Sequence, residues 1–316
     1  MFHIVDKRYL FFAISLILII PGLVALGLWG LPLSIDFLGG TLIELKFNQP
    51  TVAIQPADVK AVLAELDYGD AVVQTSEGNV VLIRTRYIQD LDTKNRVYDA
   101  LRAKYGDLTE QEFASVGPSV GAAVAQRAAG AVAAASLVIA VYIAWVFRRV
   151  PHPFRYGVAA IFSMLHDVLV VLGLAAITGK LFGWQVDALF LTAVLTVIGF
   201  SVHDTIVVFD RIRENLVRYR GEKYEEIVNF SIVQTLARSI NTSLTVLLTL
   251  LAMALLGGVT IRHFVVWLLL GIASGMYSSI FNAAPILVVW ETGEWRNWPL
   301  VRNLVGRRQA ARASQA

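Results

Sequence analysis

Residues 9–31 read YLFFAISLILIIPGLVALGLWGL, an apolar run without a single charged side chain. A hydrocarbon layer about 30 Å thick is crossed by about 20 such residues at a helical rise of about 1.5 Å each. The apolar part of a cleaved signal peptide is shorter, about 7–15 residues. The run is therefore read as an uncleaved first membrane helix, cleavage near Ala25 being the alternative. Pro21–Gly22 inside it predicts a kink. Five further apolar segments reach spanning length, at roughly 126–147, 156–178, 186–209, 239–258 and 263–290.

The 316 residues are 56% hydrophobic and only 16% charged, whereas soluble domains average about 25% charged. The depletion is confined to the apolar segments, and residues 32–125 have ordinary composition. The pattern is that of a polytopic α-helical membrane protein with a water-soluble insert between its first and second helices. Four regions follow: 1–31, the first helix; 32–125, the insert; 126–290, a five-helix bundle; and 291–316, a basic tail. The insert reads as strand at Thr41–Phe47 and helix at Gln55–Leu66. Strands at Ala71–Thr75 and Val80–Thr85 flank the turn sequence SEGN, and an amphipathic helix follows at Gln89–Tyr105, then a strand at Leu108–Gly117. The order βαββαβ predicts a ferredoxin-like domain. Residues 211–238 are polar but keep helical spacing, which predicts one or two amphipathic helices along the interface.

Basic residues set the orientation. Lys7 and Arg8 precede the first helix, Arg148 and Arg149 follow the second, Arg211, Arg213 and Arg218 follow the fourth, and Arg302, Arg307 and Arg308 lie in the tail. The short loops of the opposite side carry only Lys180 and Arg262. Both termini are therefore expected in the cytoplasm and the insert outside. This distribution also accounts for a pI of about 9.1, so no nucleic-acid partner is expected. The chain lacks cysteine, which excludes thiolate metal sites. It has no H-E-x-x-H and no G-x-S-x-G, and Gly179–Lys180 is followed by Leu181 rather than by Ser or Thr. Neither an enzyme activity nor a metal or cofactor is expected.

Two acids fall well inside spans, and each follows a histidine: His166–Asp167 and His203–Asp204. Insertion of an Asp at a helix centre costs about 2.5–3.5 kcal/mol, so each needs a groove or a partner helix. Counted along the helices, His166 lies about 15 Å deep and Asp204 about 8 Å from the cytoplasmic end. Arg238 opens the fifth helix on that same side, within the leaflet of Asp204, so an ion pair between them is expected if those two helices pack together. Each His–Asp pair is read either as interhelical hydrogen bonding or as a titrating site. Small residues recur every four positions at Gly117, Gly121, Ala125, Ala129 and Ala133, and again at Gly271, Gly275, Ser279 and Ala283, which predicts close helix packing. Asn241, Thr242, Ser243, Thr245 and Thr249 give the fifth helix a polar stripe.

Several motifs resemble one family. Ile35–Gly40 (IDFLGG), with Asp36, Phe37, Gly39 and Gly40, is similar to the D-F-x-G-G motif of the SecD/SecF protein-export family of the RND superfamily. Val116–Gly121 (VGPSVG), with Gly117, Pro118 and Gly121, is similar to its V-G-P-x-V-G motif. The third-helix HDV, Asp204–Val208 and DRIREN (Asp210, Arg211, Arg213, Glu214, Asn215) complete the resemblance, which is to the SecF branch. It implies an RND-like half, association with SecD and the SecYEG translocon, and use of the proton motive force at the bacterial inner membrane to complete preprotein export. It implies a proton pathway through Asp204 and Arg238. His203 stands where the family often has Asn, which adds a titratable group beside that acid. Two rival classes are an RND-like exporter of small molecules or lipids, and a non-conducting scaffold for SecD.

Overall fold

The computed structural model describes residues 3–76 and 78–297. Of the expected tail, residues 298–316 lie outside the described residues. The elements, in order, are a 3-10 turn Val5–Lys7, α1 Arg8–Trp29, α2 Ile35–Leu38, β1 Gly40–Phe47, α3 Pro56–Glu65, β2 Val72–Ser76, β3 Val80–Thr85, α4 Leu91–Tyr105 and β4 Leu108–Val116. There follow α5 Pro118–Val146, α6 Pro153–Phe182, α7 Ala188–Arg218, α8 Tyr224–Leu256, α9 Val259–Ser278, a π turn Ser279–Ala283, α10 Ala284–Glu291 and a 3-10 turn Glu294–Asn297. The chain divides into two compact units. One is Leu33–Ala131 with Gln185–Ala188, and the other is the remainder.

The first unit contains the sheet. Its order is β2-β3-β1-β4 and every neighbouring pair is antiparallel, as the βαββαβ reading expects. Alternation along β1 drives it: Ile43, Leu45 and Phe47 are buried on one face, and Glu44 and Lys46 alternate with them. Val59 and Leu63 of α3 and Val97, Leu101 and Tyr105 of α4 complete that core. The Phe47 and Tyr105 rings meet edge to face at 5.4 Å. Register between β1 and β4 shifts after Glu44, so Glu44 faces Glu112 while Leu45 faces Glu110, and Gln111 is the extra residue of a bulge.

The Glu44–Glu112 pairing sets like charges directly across an antiparallel ladder, which costs about 0.2–1 kcal/mol. Partial burial, and secondarily the Glu112 charge, hold the Glu44 carboxyl above its ordinary value. The folded state therefore binds this proton more tightly than the unfolded state does. Its stabilising contribution is present at low pH and is lost as pH rises through the carboxylate range. Glu112→Gln is expected to raise domain stability by about 0.5 kcal/mol near neutral pH and to shrink that loss, as chemical denaturation at two pH values checks.

Among the described residues, six helices are long and apolar enough to cross a membrane, running Val5–Trp29, Pro118–Val146, Pro153–Phe182, Ala188–Arg218, Tyr224–Leu256 and Ile261–Glu291. The protein is a multi-pass membrane protein. Half of the most apolar window of the third, fourth and sixth is buried against the chain, and only 6% of that of the second, so the former make the centre of the bundle. α1 runs unbroken through Pro21 and packs on α6 at Gly22 and Gly173. A Cβ on Gly22 would stand 2.8 Å from the Gly173 Cα, and one on Gly173 would stand 2.5 Å from the Gly22 Cα. Only glycines permit that approach.

The polar stretch 211–238 does not form separate helices. α7 continues through it to Arg218 and α8 begins at Tyr224, so the stretch is the end of one membrane helix and the start of the next. Burial is the reason: Ile212 and Asn215 on α7, and Ile227, Val228, Ser231 and Ile232 on α8, are inside the protein.

Candidate functional site: buried carboxyls among the membrane helices

The small-residue ridge of α9 lets α6 and α7 come close to it. Gly271 lies against Val171 and Val197, and a Cβ on Gly275 would touch Ser201 at 3.4 Å and the Asp167 carboxylate at 3.6 Å. Asp167 is wholly buried. Its Oδ1 accepts from Ser274 Oγ at 2.8 Å and lies 2.9 Å from His166 Nδ1, while its Oδ2 accepts from Ser278 Oγ at 2.6 Å. Ser163 Oγ in turn donates to Ser278 Oγ at 2.9 Å. The residues that satisfy Asp167 thus come from α6 and α9. Ser163, Ser274 and Ser278 were not singled out from the sequence. Their signal is a set of hydroxyls at helical spacing in otherwise apolar runs.

Asp204 of α7 is buried at 5% exposure and accepts from Ser243 Oγ of α8 at 3.1 Å. Of the expected polar stripe, Ser243 alone turns inward; Asn241, Thr242, Thr245 and Thr249 are exposed on the chain's surface. Arg238 and His203 are exposed too. The expected ion pair of Asp204 with Arg238 is not among the salt bridges of the described residues, and the hydroxyl of Ser243 holds the carboxylate instead. Arg238 and Ser243 lie five residues, or about 500° of helical rotation, apart and so project about 140° apart around α8, which separates the exposed cation from the buried hydroxyl.

DRIREN has two layers. On its surface Arg213 pairs with Asp210 at 2.5 Å, and Arg211 pairs with Glu214 at 2.5 Å. Beneath them buried Asn215 donates to Ser231 Oγ at 2.8 Å and to Gln234 Oε1 at 3.0 Å, joining α7 to α8. Asn229 of α8, which the sequence reading passed over, accepts the backbone N–H groups of Ile4 and Val5 at 2.8 and 3.3 Å and so anchors the start of the chain. Arg8 joins Glu225 at 3.2 Å and Glu294 more closely still. Burial pushes the Glu294 carboxyl up, but its bonds from Arg8 and Tyr9 and the Arg8 charge outweigh this and hold it below its ordinary value.

The two glycine motifs meet in the sheet-containing unit. Ser34 caps α2, accepting from the Asp36 N–H at 3.2 Å, and the Asp36 carboxylate accepts the N–H of Ala188 at 3.0 Å. Phe37 is buried. Gly39 and Gly40 have φ of +77° and +129°, which L side chains rarely adopt. A Cβ on Gly39 would stand 2.7 Å from the Pro118 Cα, and one on Gly121 would stand 2.6 Å from the Gly39 nitrogen. Gly117 is less crowded, with the Tyr87 ring at 3.9 Å. The motifs are therefore two faces of one backbone-to-backbone joint.

Comparison with known proteins finds the same motifs. The family described as Protein export membrane protein SecD/SecF, C-terminal, matches residues 96–293, and the SecD/SecF GG Motif matches residues 29–51. The chain belongs to the SecD/SecF family. Within the family it is 55% identical to the protein translocase subunit SecF of Anaerolinea thermophila, over 94% of this chain and 97% of that one. It is 52% identical to the subunit of the same name from Thermobaculum terrenum, over 93% and 96%. Among solved structures it is similar to SecDF, a translocon-associated membrane protein of Thermus thermophilus, with a TM-score of 0.80, 31% identity and 92% of this chain covered. It spans 39% of that SecDF chain. The expected family, the helix count and the insert's sheet are thus borne out.

Proposed function

We propose that this SecD/SecF family member is the SecF-type subunit of a bacterial inner-membrane export apparatus, working with SecD beside the SecYEG translocon. In this reading protons crossing the membrane drive the insert, outside the cytoplasm, to complete preprotein movement, with both termini inside. The observation that carries it is a buried acid, Asp204, within a membrane-spanning helix of a chain that matches SecF subunits along nearly its whole length. Asp204 accepts from a neutral hydroxyl, while Arg238 stands exposed on the next helix. The acid takes up a proton in one arrangement and pairs with Arg238 in another, and the alternation is tied to movement of the helices that carry the insert. His203 lies beside the acid on the outer surface.

The need for a partner has physical support. α8 exposes Arg238, Asn241, Thr242, Thr245 and Thr249 along one face within a membrane-spanning helix. Polar groups at that depth are stable against protein or water and costly against hydrocarbon. Longer relatives named SecDF contain the matching segment within one chain, which fits a SecD half as that cover. The test is copurification: this chain, tagged in native membranes, is expected to bring down SecD, and its removal to slow proton-gradient-dependent export. Recovery without SecD, together with dye or lipid transport by the chain alone, points instead to a small-molecule exporter.

A further inference from the structure

The His166–Asp167 pair has the anatomy of a site rather than of a packing contact. Asp167 is fully buried and is satisfied by Ser274, Ser278 and His166 together. A carboxylate is acceptor-only, and the two serine hydroxyls and the imidazole Nδ1–H all have a proton to give it. His166 is 7% exposed, and its other nitrogen, Nε2, is buried with no hydrogen-bond partner among the described residues. Buried polar atoms of this kind are few in folded proteins, and each calls for a reason. The imidazole also borders a cavity of about 660 Å³ among α1, α6 and α10, where it is the only titratable lining group among the described residues.

A seam of hydroxyls joined through one backbone carbonyl leads from this pair toward Asp204. Ser278, which donates to Asp167, and Ser279 both also reach the Gly275 carbonyl, at 3.2 and 2.8 Å. Thr205 Oγ1 donates to Ser279 Oγ at 3.0 Å, and Thr205 is the neighbour of Asp204. Ser279 begins the π turn, an irregularity that is frequent at functional positions. The Gly275 carbonyl carries no proton to pass on, so this seam couples positions and does not conduct.

We propose that His166 and Asp167 form a second proton-holding site of this chain, mechanically coupled to Asp204 through Ser278, Gly275, Ser279 and Thr205. The proton binds Nε2 of neutral His166 while Nδ1–H stays on Asp167, giving an imidazolium–carboxylate pair, and it leaves by the same atom. The titratable group facing the dyad from α9 is Tyr277, with ring centroids 6.4 Å apart and its hydroxyl committed to the Phe11 carbonyl at 2.8 Å. α1 carries only Arg8 and Tyr9, both at its start, α10 carries only Glu291, at its far end, and α7 contributes Asp204 with the exposed His203 beside it. The inference rests on the reading of Asp204 as a proton site and adds to it a second position.

The test is nitrogen NMR of histidine-labelled protein purified with SecD, the His166 signal being identified by its loss in His166→Gln. His166 is expected to change protonation within the pH range where the protein stays folded. Asp167→Asn is expected to move its midpoint by tenfold or more in proton concentration. Ser278→Ala, which keeps the carboxylate and removes one donor, is expected to move it in a smaller step and decides the matter if Asp167→Asn does not fold. A His166 signal that stays in one state throughout, or a midpoint indifferent to both variants, overturns the dyad. Export assays of Asp204→Asn separate the two claims. Loss of export with a silent His166 leaves Asp204 standing and removes the dyad, whereas a titrating His166 with normal export removes the role of Asp204.

Discussion

Asp204→Asn is expected to abolish the proton-gradient dependence of export while leaving the helix bundle and its association with SecD intact. The substitution preserves volume, and the amide oxygen still accepts from Ser243 Oγ, which now bonds the carboxylate at 3.1 Å. Folding therefore changes little, and what disappears is the ability to bind and release a proton. A proton moved through 100 mV supplies about 2.3 kcal/mol, a factor of about fifty in a conformational equilibrium. Losing that input removes the drive and leaves the contacts. Export into inverted vesicles with and without a proton gradient measures the first, and copurification with SecD measures the second. Arg238→Gln is expected to fail in the same assay, although in this structure the guanidinium is exposed and apart from Asp204. If Asp204→Asn and Arg238→Gln both keep a full response to the gradient, the chain is a scaffold for SecD.

The other large effect is expected at the glycine joint. Gly39→Ala meets two penalties at once. Its φ of +77° costs an L residue about 1–3 kcal/mol, and its new Cβ would lie 2.7 Å from the Pro118 Cα, a backbone atom that cannot rotate away. Gly121→Ala meets only the second penalty, a Cβ 2.6 Å from the Gly39 nitrogen and 3.1 Å from the Phe37 carbonyl oxygen. Gly39→Ala is therefore expected to cost about 2–4 kcal/mol and Gly121→Ala less. Gly117→Ala, with its nearest neighbour at 3.9 Å, is expected to be nearly silent. Thermal unfolding followed by near-ultraviolet dichroism ranks the three. An equal loss for all of them contradicts the joint.

The same joint shows why a motif can be legible while its purpose is not. IDFLGG and VGPSVG are both plain in the sequence, yet just over eighty residues separate Gly39 from Gly121. That they meet depends on β1 pairing with β4, from Gly40 opposite Val116 onward. Likewise the asparagine of DRIREN reads as one more polar residue on an amphipathic face, and only the approach of Ser231 and Gln234 shows it buried and bonded.

By itself the sequence determined the six spans, the inserted βαββαβ domain and the positions of two buried acids. These are local properties: apolar length, period-two alternation and the cost of a carboxylate in hydrocarbon are all written within about twenty consecutive residues. The tertiary structure alone decided what each acid touches. Asp167 is satisfied by serines more than a hundred positions away, and Asp204 rests on Ser243 instead of the expected Arg238. Spacing along one helix specifies a face, whereas a hydrogen bond depends on the rotation and depth of two helices to within a few tenths of an ångström. The contact of glycine ridges sets that rotation and depth, as Gly275 does against Ser201 and Asp167.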